Sequence, residues 1–141
     1  MLSLRNLIET GQIRTRTRTL GPIVDVVVHH EQGVVLAYLT RLGPQRPLEA
    51  VMLDAVLDHD GVQVTIHSPE DVLPLGKLPR LKLLSEHGQV VGRPWLDPQG
   101  RVAGTLEDLT FDEITGKVVY YSIRYLPQGP ADERGTSTRR H

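Results

Sequence analysis

The chain contains no cysteine, which removes disulfides, thiolate metal sites and cysteine nucleophiles from consideration. It also lacks a charge of one sign. Sixteen Lys and Arg stand against seventeen Asp and Glu, for a net charge of −1, so nothing global draws the protein to DNA, RNA or an anionic membrane. No run approaches the roughly 20 apolar residues that span a bilayer, and the opening "MLSLRNLIETGQ" lacks the long apolar stretch of a signal peptide. The expectation is a soluble cytoplasmic protein without membrane insertion. Missing too are G-x-S-x-G, a P-loop, G-x-G-x-x-G and H-E-x-x-H. The acids are scattered through turns, so no general acid–base pair can be chosen. No catalytic residue, metal site or cofactor is therefore expected, and the chain does not read as an enzyme.

What is present is a β pattern. Val, Ile, Leu and Thr recur in short runs broken by Gly, Pro and Asp, the mark of a small all-β sandwich or barrel. "SLRNLIE" makes one short helical turn with Ser3 as N-cap. "LGPIVDVVVHH" and "VVLAYLTRL" are strands joined by "QG"; "EAVMLDAVL" and "VQVTIH" are two more, joined by "DHDG". "SPEDVL" opens a short helix with Ser68 as cap and Pro69 first. Pro74 and Pro79 rule out a long regular element in "LPLGKLPRLKLLSEHG", which reads as a connection. Beyond it, "QVVGRPWL", "RVAGTLEDLTFD" and "KVVYYSIRYL" are strands separated by the turns "DPQG" and "EITG".

The chain repeats itself at an interval of 83 residues. Gly21 falls on Gly104, Asp25 on Asp108, Gly33 on Gly116, Val35 on Val118, Tyr38 on Tyr121 and Arg41 on Arg124, without a gap between Leu20 and Gly43. Alternation is kept where letters differ: Val26 and Val28 meet Leu109 and Phe111, which holds one face apolar in both copies. Gly33 and Gly116 close hairpin turns. Gly21 and Gly104 open strands where a close backbone approach suits a residue with no Cβ. Asp25 and Asp108 read as acceptors of turn N–H groups.

"QIRTRTRTLGPIVD" looks like a nucleic-acid hook, yet the interval carries Arg14–Thr19 onto "DPQGRV", a turn. Thr15-Arg16-Thr17 is then a hairpin tip. Its arginines are either solvated side chains that discourage edge pairing or a compact positive site, Arg14, Arg16 and Arg18, for an acidic partner or phosphate backbone. The six histidines are His29, His30, His59, His67, His87 and His141. His29 and His30 are adjacent on a strand, so they face opposite sides and do not readily share an ion; "DHDG" lacks the spaced ligands of a calcium loop and reads as a turn. In "VVYYSIRY", Tyr121 and Tyr125 share one face and Tyr120 and Arg124 the other. One face is core; the other is an ordinary sheet face or a binding surface, since Tyr and Arg suit interface hot spots. Trp95, the only tryptophan, reads as an anchor of the second core.

"VVGRPWLDPQGRVAGTLEDLTFDEITGKVVYYSIRY" resembles the PRC-barrel domain, first described in the H subunit of the photosynthetic reaction centre. The matching features are Val90–Gly92, the Asp97–Gly100 turn, Gly104 with Asp108, the Asp112–Gly116 turn and the Val118–Tyr125 strand. A more diverged copy runs through Leu7-Ile8, Gly21, Asp25, Gly33 and Tyr38, with arginine and threonine in place of the first Asp-Gly turn. The resemblance implies small β-barrels in two tandem copies: residues 1–75, a linker at 76–84, a second copy, complete or incomplete, at 85–126, and a disordered tail at 127–141. It also implies an adaptor or assembly role, docking on another protein or on a second copy as a homodimer. The C-terminal domain of a ribosome maturation factor belongs to the same family, so RNA or ribosome assembly is the alternative role. No catalytic residue is carried over.

Overall fold

The computed structural model describes residues 1–86, 88–127 and 137–140, and it is mainly β. A two-residue strand β1 (Leu2–Ser3) leads into helix α1 (Leu4–Thr10). Ser3 caps it as expected: its hydroxyl accepts the Asn6 N–H at 3.4 Å, and Leu4 and Leu7 turn inward. Then follow β2 (Gln12–Arg14), β3 (Thr19–His29), β4 (Val34–Thr40) and β5 (Glu49–Met52). A 3₁₀ turn at Leu53–Ala55 precedes β6 (Val56–Asp60) and β7 (Gln63–Ile66). Ser68 then caps the turn at Pro69–Asp71, with Asp71 answering in a capping box.

"EAVMLDAVL" is thus two strands rather than one. The hydrogen-bonded order is β6-β7-β2-β3-β4-β5-β8, where β8 is Leu73–Pro74. Met52 and Val56 are joined by Leu53–Ala55 and lie at most about 14 Å apart. Yet β5 and β6 sit toward opposite ends of that order. The sheet therefore curls around its core, and among the described residues β5 and β6 do not pair to close it.

The second sheet is built from β9 (Pro94–Leu96), β10 (Val102–Phe111), β11 (Val118–Tyr125) and β12 (Ser137–Arg140). Strands β1 and β9 lie along the same edge of β10, opposite the edge taken by β11. The register repeats as the sequence does. Ile23 pairs with Thr40, Asp25 with Leu39, Val26 with Tyr38 and Val28 with Val35. Leu106 pairs with Ile123, Asp108 with Ser122, Leu109 with Tyr121 and Phe111 with Val118. Both bulges of the first hairpin, at Ile23/Asp25 and Val27/Val28, recur in the second at Leu106/Asp108 and Thr110/Phe111. The match breaks at the hairpin tip: Arg14 pairs with Thr19, but Leu96 pairs with Val102. The second tip is one residue longer, so Arg14 corresponds to Leu96 and not to Asp97.

The two hairpins grip each other. The Val35 N–H donates to the Gly116 carbonyl at 2.7 Å, and the Val118 N–H donates to the Gly33 carbonyl at 2.8 Å. These are the same bond made twice by equivalent residues, a local pseudo-twofold. One core serves both halves: Leu7, Ile13, Val26, Tyr38, Val64, Val90, Leu109, Phe111, Tyr121 and Ile123 belong to a single buried cluster. A second, smaller cluster lies on the outer face of the first sheet, where Val27, Ala37, Leu39 and Ala50 meet Leu81. Leu81 comes from helix α2 (Pro79–Ser85), begun by Pro79 at its first turn. The region read as a linker is therefore a short helix packed on β3, β4 and β5.

The predicted tail at 127–141 falls mostly outside the described residues. Within it, Ser137–Arg140 is a strand, so the reading as disordered does not hold there. It pairs with β11 in the register that β5 has on β4: Tyr121 opposite Arg139, as Tyr38 is opposite Val51.

Candidate functional site

The arginine-rich stretch forms the hairpin expected for it. The Thr15 N–H donates to the Arg18 carbonyl at 2.9 Å, and the Thr15 hydroxyl accepts the N–H groups of Thr17 and Arg18 at 3.3 Å each. Thr15 is buried while Arg16, Thr17 and Arg18 are exposed. Arg16 and Arg18 border a shallow depression with His67, Ser68 and Pro69. Arg14 belongs to β2 and bonds the Thr15 carbonyl. Asp97 takes the place of Thr15 in the second hairpin, accepting from Arg101 and Gln99 at 2.9 Å each. Those backbone bonds, the one from Arg101 foremost, hold the Asp97 carboxyl below its ordinary range.

Tyr121 is buried in the core and Tyr125 packs beside it. Tyr120 is half-buried on the opposite face, and exposed Arg124 there pairs with Glu107 at 2.8 Å. By register this face corresponds to the one that α2 covers in the first half. Val27, Ala37 and Leu39 have become Thr110, Tyr120 and Ser122, a polar set suited to solvent. Arg124 and Tyr120 share this face, on β11, whereas Arg14 ends β2 and Arg16 and Arg18 lie on the tip that follows it in the other half.

The paired aspartates reach between the halves. Asp25 is 7% exposed; its Oδ1 accepts Val26 N–H at 2.9 Å and its Oδ2 accepts Val90 N–H at 3.2 Å. Burial raises its pKa, against the pull of those two bonds and of Arg93. A cleft of about 230 Å³ opens beside it, between α1 and residues 89–91. With both oxygens engaged by backbone, the carboxylate is a clamp. Asp108 mirrors it: Oδ2 accepts the Ser3 hydroxyl at 2.6 Å, and Oδ1 accepts the Arg5 and Leu109 N–H groups at 3.1 and 2.8 Å.

One pair was not visible in the sequence. The Tyr38 hydroxyl, fully buried, meets His59 Nε2 at 2.8 Å. Burial raises the tyrosine pKa and lowers that of the histidine, while Glu113 and Asp58 pull the histidine the other way. His59 thus belongs to strand β6 and not to an exposed turn; the turn is at Gly61 and Val62. A register shift between Val56 and Asp58 leaves Leu57 and Asp58 both outward, so that His59 turns in. His30 contacts the Arg93 guanidinium. His29 Nδ1 accepts the Gln32 N–H at 3.3 Å. His87 and His141 lie outside the described residues. Among the described residues, no three His, Asp or Glu gather as metal ligands do, and no helix is long and apolar enough to cross a membrane.

The surface that stands apart is at β9. Trp95 is partly buried and packs on the core, its ring 5.2 Å from that of Tyr121. An apolar groove of about 470 Å³ runs past Pro94, Trp95, Leu96 and Val102. Leu96 is 56% exposed, Val102 51% and neighbouring Leu126 47%. No protein-family model and no curated protein matches the chain. Function must therefore be argued from this geometry. The sequence signal for the surface lies in "PWL" and "RV", apolar residues flanking a polar turn, in which Trp95 reads as an anchor of the second core.

Proposed function

We propose that the protein is a non-catalytic interaction or assembly module of PRC-barrel type, acting in the cytoplasm by docking on another protein or on a second copy. The observation that carries this reading is the apolar groove along Pro94, Trp95, Leu96 and Val102, in which Leu96 and Val102 are about half exposed. Exposed apolar residues scattered singly are ordinary, but a contiguous patch marks a contact site. The equivalent positions in the first half include Arg14 and Thr19, which are polar. The apolar character thus belongs to the second half alone and is not a requirement of the shared fold. The duplicated, mutually clamped scaffold supports the same reading, because it presents that surface on a rigid frame.

The test is light scattering after size exclusion, together with affinity capture by the wild-type chain and by Leu96→Lys and Val102→Lys. Self-association or a retained partner that both substitutions abolish is the expected result. A strictly monomeric chain that retains nothing the variants lose would sink the reading.

A second reading is favoured by one observation: Arg16 and Arg18 border the same depression as His67. In that reading the tip binds RNA, and affinity falls steeply with salt. Arg16→Ala with Arg18→Ala would then weaken binding at low salt, and no binding at low salt would remove it.

A further inference from the structure

The two halves differ in what lies outside the first strand of each hairpin. In the first half β7 runs parallel to β2, pairing Gln12 with Gln63, Ile13 with Val64 and Arg14 with Thr65. Val64 and Ile66 of β7 are fully buried there. In the second half β9 pairs with β10 alone among the described residues, although β9 stands to β10 as β2 stands to β3. Resting on the interaction-module reading above, we infer that the free edge of β9 receives a strand from another polypeptide. That strand is an extended segment with alternating aliphatic side chains, running parallel to β9 as β7 runs along β2.

The backbone of β9 is set out for this. The Arg93 carbonyl accepts the Leu106 N–H, and the Asp97 N–H donates to the Arg101 carbonyl, so both residues face inward across the hairpin. By alternation Pro94 and Leu96 direct their backbone groups to the open edge. It therefore presents the Pro94 carbonyl and both the N–H and carbonyl of Leu96. The same phase is seen in β2, where the Gln12 N–H reaches outward to the Val62 carbonyl at 3.3 Å.

The side chains complete the case. At the covered edge the tip is polar, with Arg14 opposite Thr19; at the open edge the matching pair is Leu96 opposite Val102, both about half exposed. Apolar side chains thus stand where no strand of the described chain covers them. Main-chain bonds with pockets for alternate side chains are the general physics of strand addition.

Pro94 decides between occupants. It corresponds to Gln12 and has no N–H, so the edge offers a single donor, at Leu96. Proline on an edge strand discourages indiscriminate pairing. Two copies of β9 meeting edge to edge would bring one donor each. A foreign strand that supplies its own donors to the Pro94 and Leu96 carbonyls makes the better ladder.

The probe is a capped peptide of residues 60–68, which contains the β7 sequence, added to the full chain. Trp95 is the only tryptophan and lines the groove, so its emission reports on the second half alone. The expected result is a saturable blue shift that a Val64→Pro peptide does not give. Leu96→Lys in the protein should weaken binding at least tenfold with the far-ultraviolet spectrum unchanged. Ile114→Lys, at a side chain 85% exposed in the other hairpin turn, should leave it as it was. Absence of a saturable shift at millimolar peptide overturns the inference, as does a dimer whose Trp95 emission depends on protein concentration alone. If a partner is lost with Leu96→Lys while the peptide fails, this inference falls and the module reading stands. If neither partner nor dimer depends on the patch, both fall.

Discussion

The Asp25 carboxylate of the first hairpin accepts the backbone N–H of Val90, which belongs to the second half, at 3.2 Å. Its counterpart Asp108 accepts from Ser3 and Arg5 of the first. The bond from Val90 is buried, and Val90 itself is 0% exposed. Asp25→Ala removes the acceptor and strands that N–H away from water, at a cost of about 1–3 kcal/mol. Asp108→Ala should cost less, because the N–H group of Arg5 is exposed and finds water. Equilibrium urea unfolding checks both values. A loss under about 0.5 kcal/mol for Asp25→Ala, the range of an ordinary surface substitution, would show that the clamp between halves does not hold the fold.

The Tyr38–His59 contact gives the stability a pH dependence whose sign can be worked out. Burial lowers the His59 pKa below 6.5 in the folded state. The unfolded chain therefore binds more protons as pH falls below 6.5, and acid favours unfolding. Stability from this residue is fully present above pH 6.5 and is lost as pH falls toward the folded value. Asp25 slopes the other way: its raised pKa makes stability fall as pH rises from 3.8 through the folded value. The clean window for His59 is thus near neutrality. The unfolding midpoint should drop between pH 7.5 and 5.5 in the wild type. His59→Gln keeps a hydrogen-bonding partner for Tyr38 without titrating, and should flatten that slope. A slope unchanged by His59→Gln would assign the effect to another group.

Tyr38→Phe tests the same contact from its other end. The ring keeps its place against Phe111, whose centroid lies 6.3 Å away, so packing is retained and only the hydroxyl is lost. The expected cost is about 1 kcal/mol at pH 7.5, the net worth of one hydrogen bond. Combined with His59→Ala in a double-mutant cycle, the two losses should fall short of additivity, because each removes the one shared interaction. Additive losses would mean that the Tyr38 hydroxyl and His59 act separately.

Much of this fold was legible in the sequence, for a definite reason. The 83-residue repeat showed two hairpins with the same inward faces, because alternation and turn glycines leave little choice once one face is buried, although it set the second tip one residue out. Ser3 and Ser68 announced themselves as caps by local hydrogen-bonding chemistry, and the Thr15 tip by its place opposite the "DPQG" turn in the repeat. What escaped depends on long-range geometry or on one-residue shifts. The bulge at Val56/Asp58 moves His59 to the inner face, and "DHDG" alone gives no sign of it. The break at Leu53–Ala55, which divides β5 from β6, is marked only by Asp54 within an otherwise apolar run. Helix α2 carries one buried leucine, Leu81, too little for periodicity to reveal. Trp95 could be placed near the core, but the groove beside it goes with an edge of β9 that has no partner among the described residues, which is a fact of topology.

The two turn glycines provide a paired test of the mutual grip. Gly33 has φ 64° and Gly116 has φ 80°, a region that costs a side-chain-bearing residue about 1–2 kcal/mol. A Cβ at Gly33 would meet nothing within 4 Å. A Cβ at Gly116 would collide with the Val35 carbonyl oxygen and lie 2.9 Å from Leu53. Gly33→Ala therefore measures conformational strain alone, about 1 kcal/mol. Gly116→Ala adds a clash with backbone that cannot move without breaking the Val35–Gly116 bond, so its loss should exceed that of Gly33→Ala by about 1–3 kcal/mol. Urea unfolding of both variants measures the difference. Amide exchange should also show Val35 losing protection in Gly116→Ala, since its N–H donates to Gly116. Equal losses at the two glycines would mean that the second turn does not press on β4 as described.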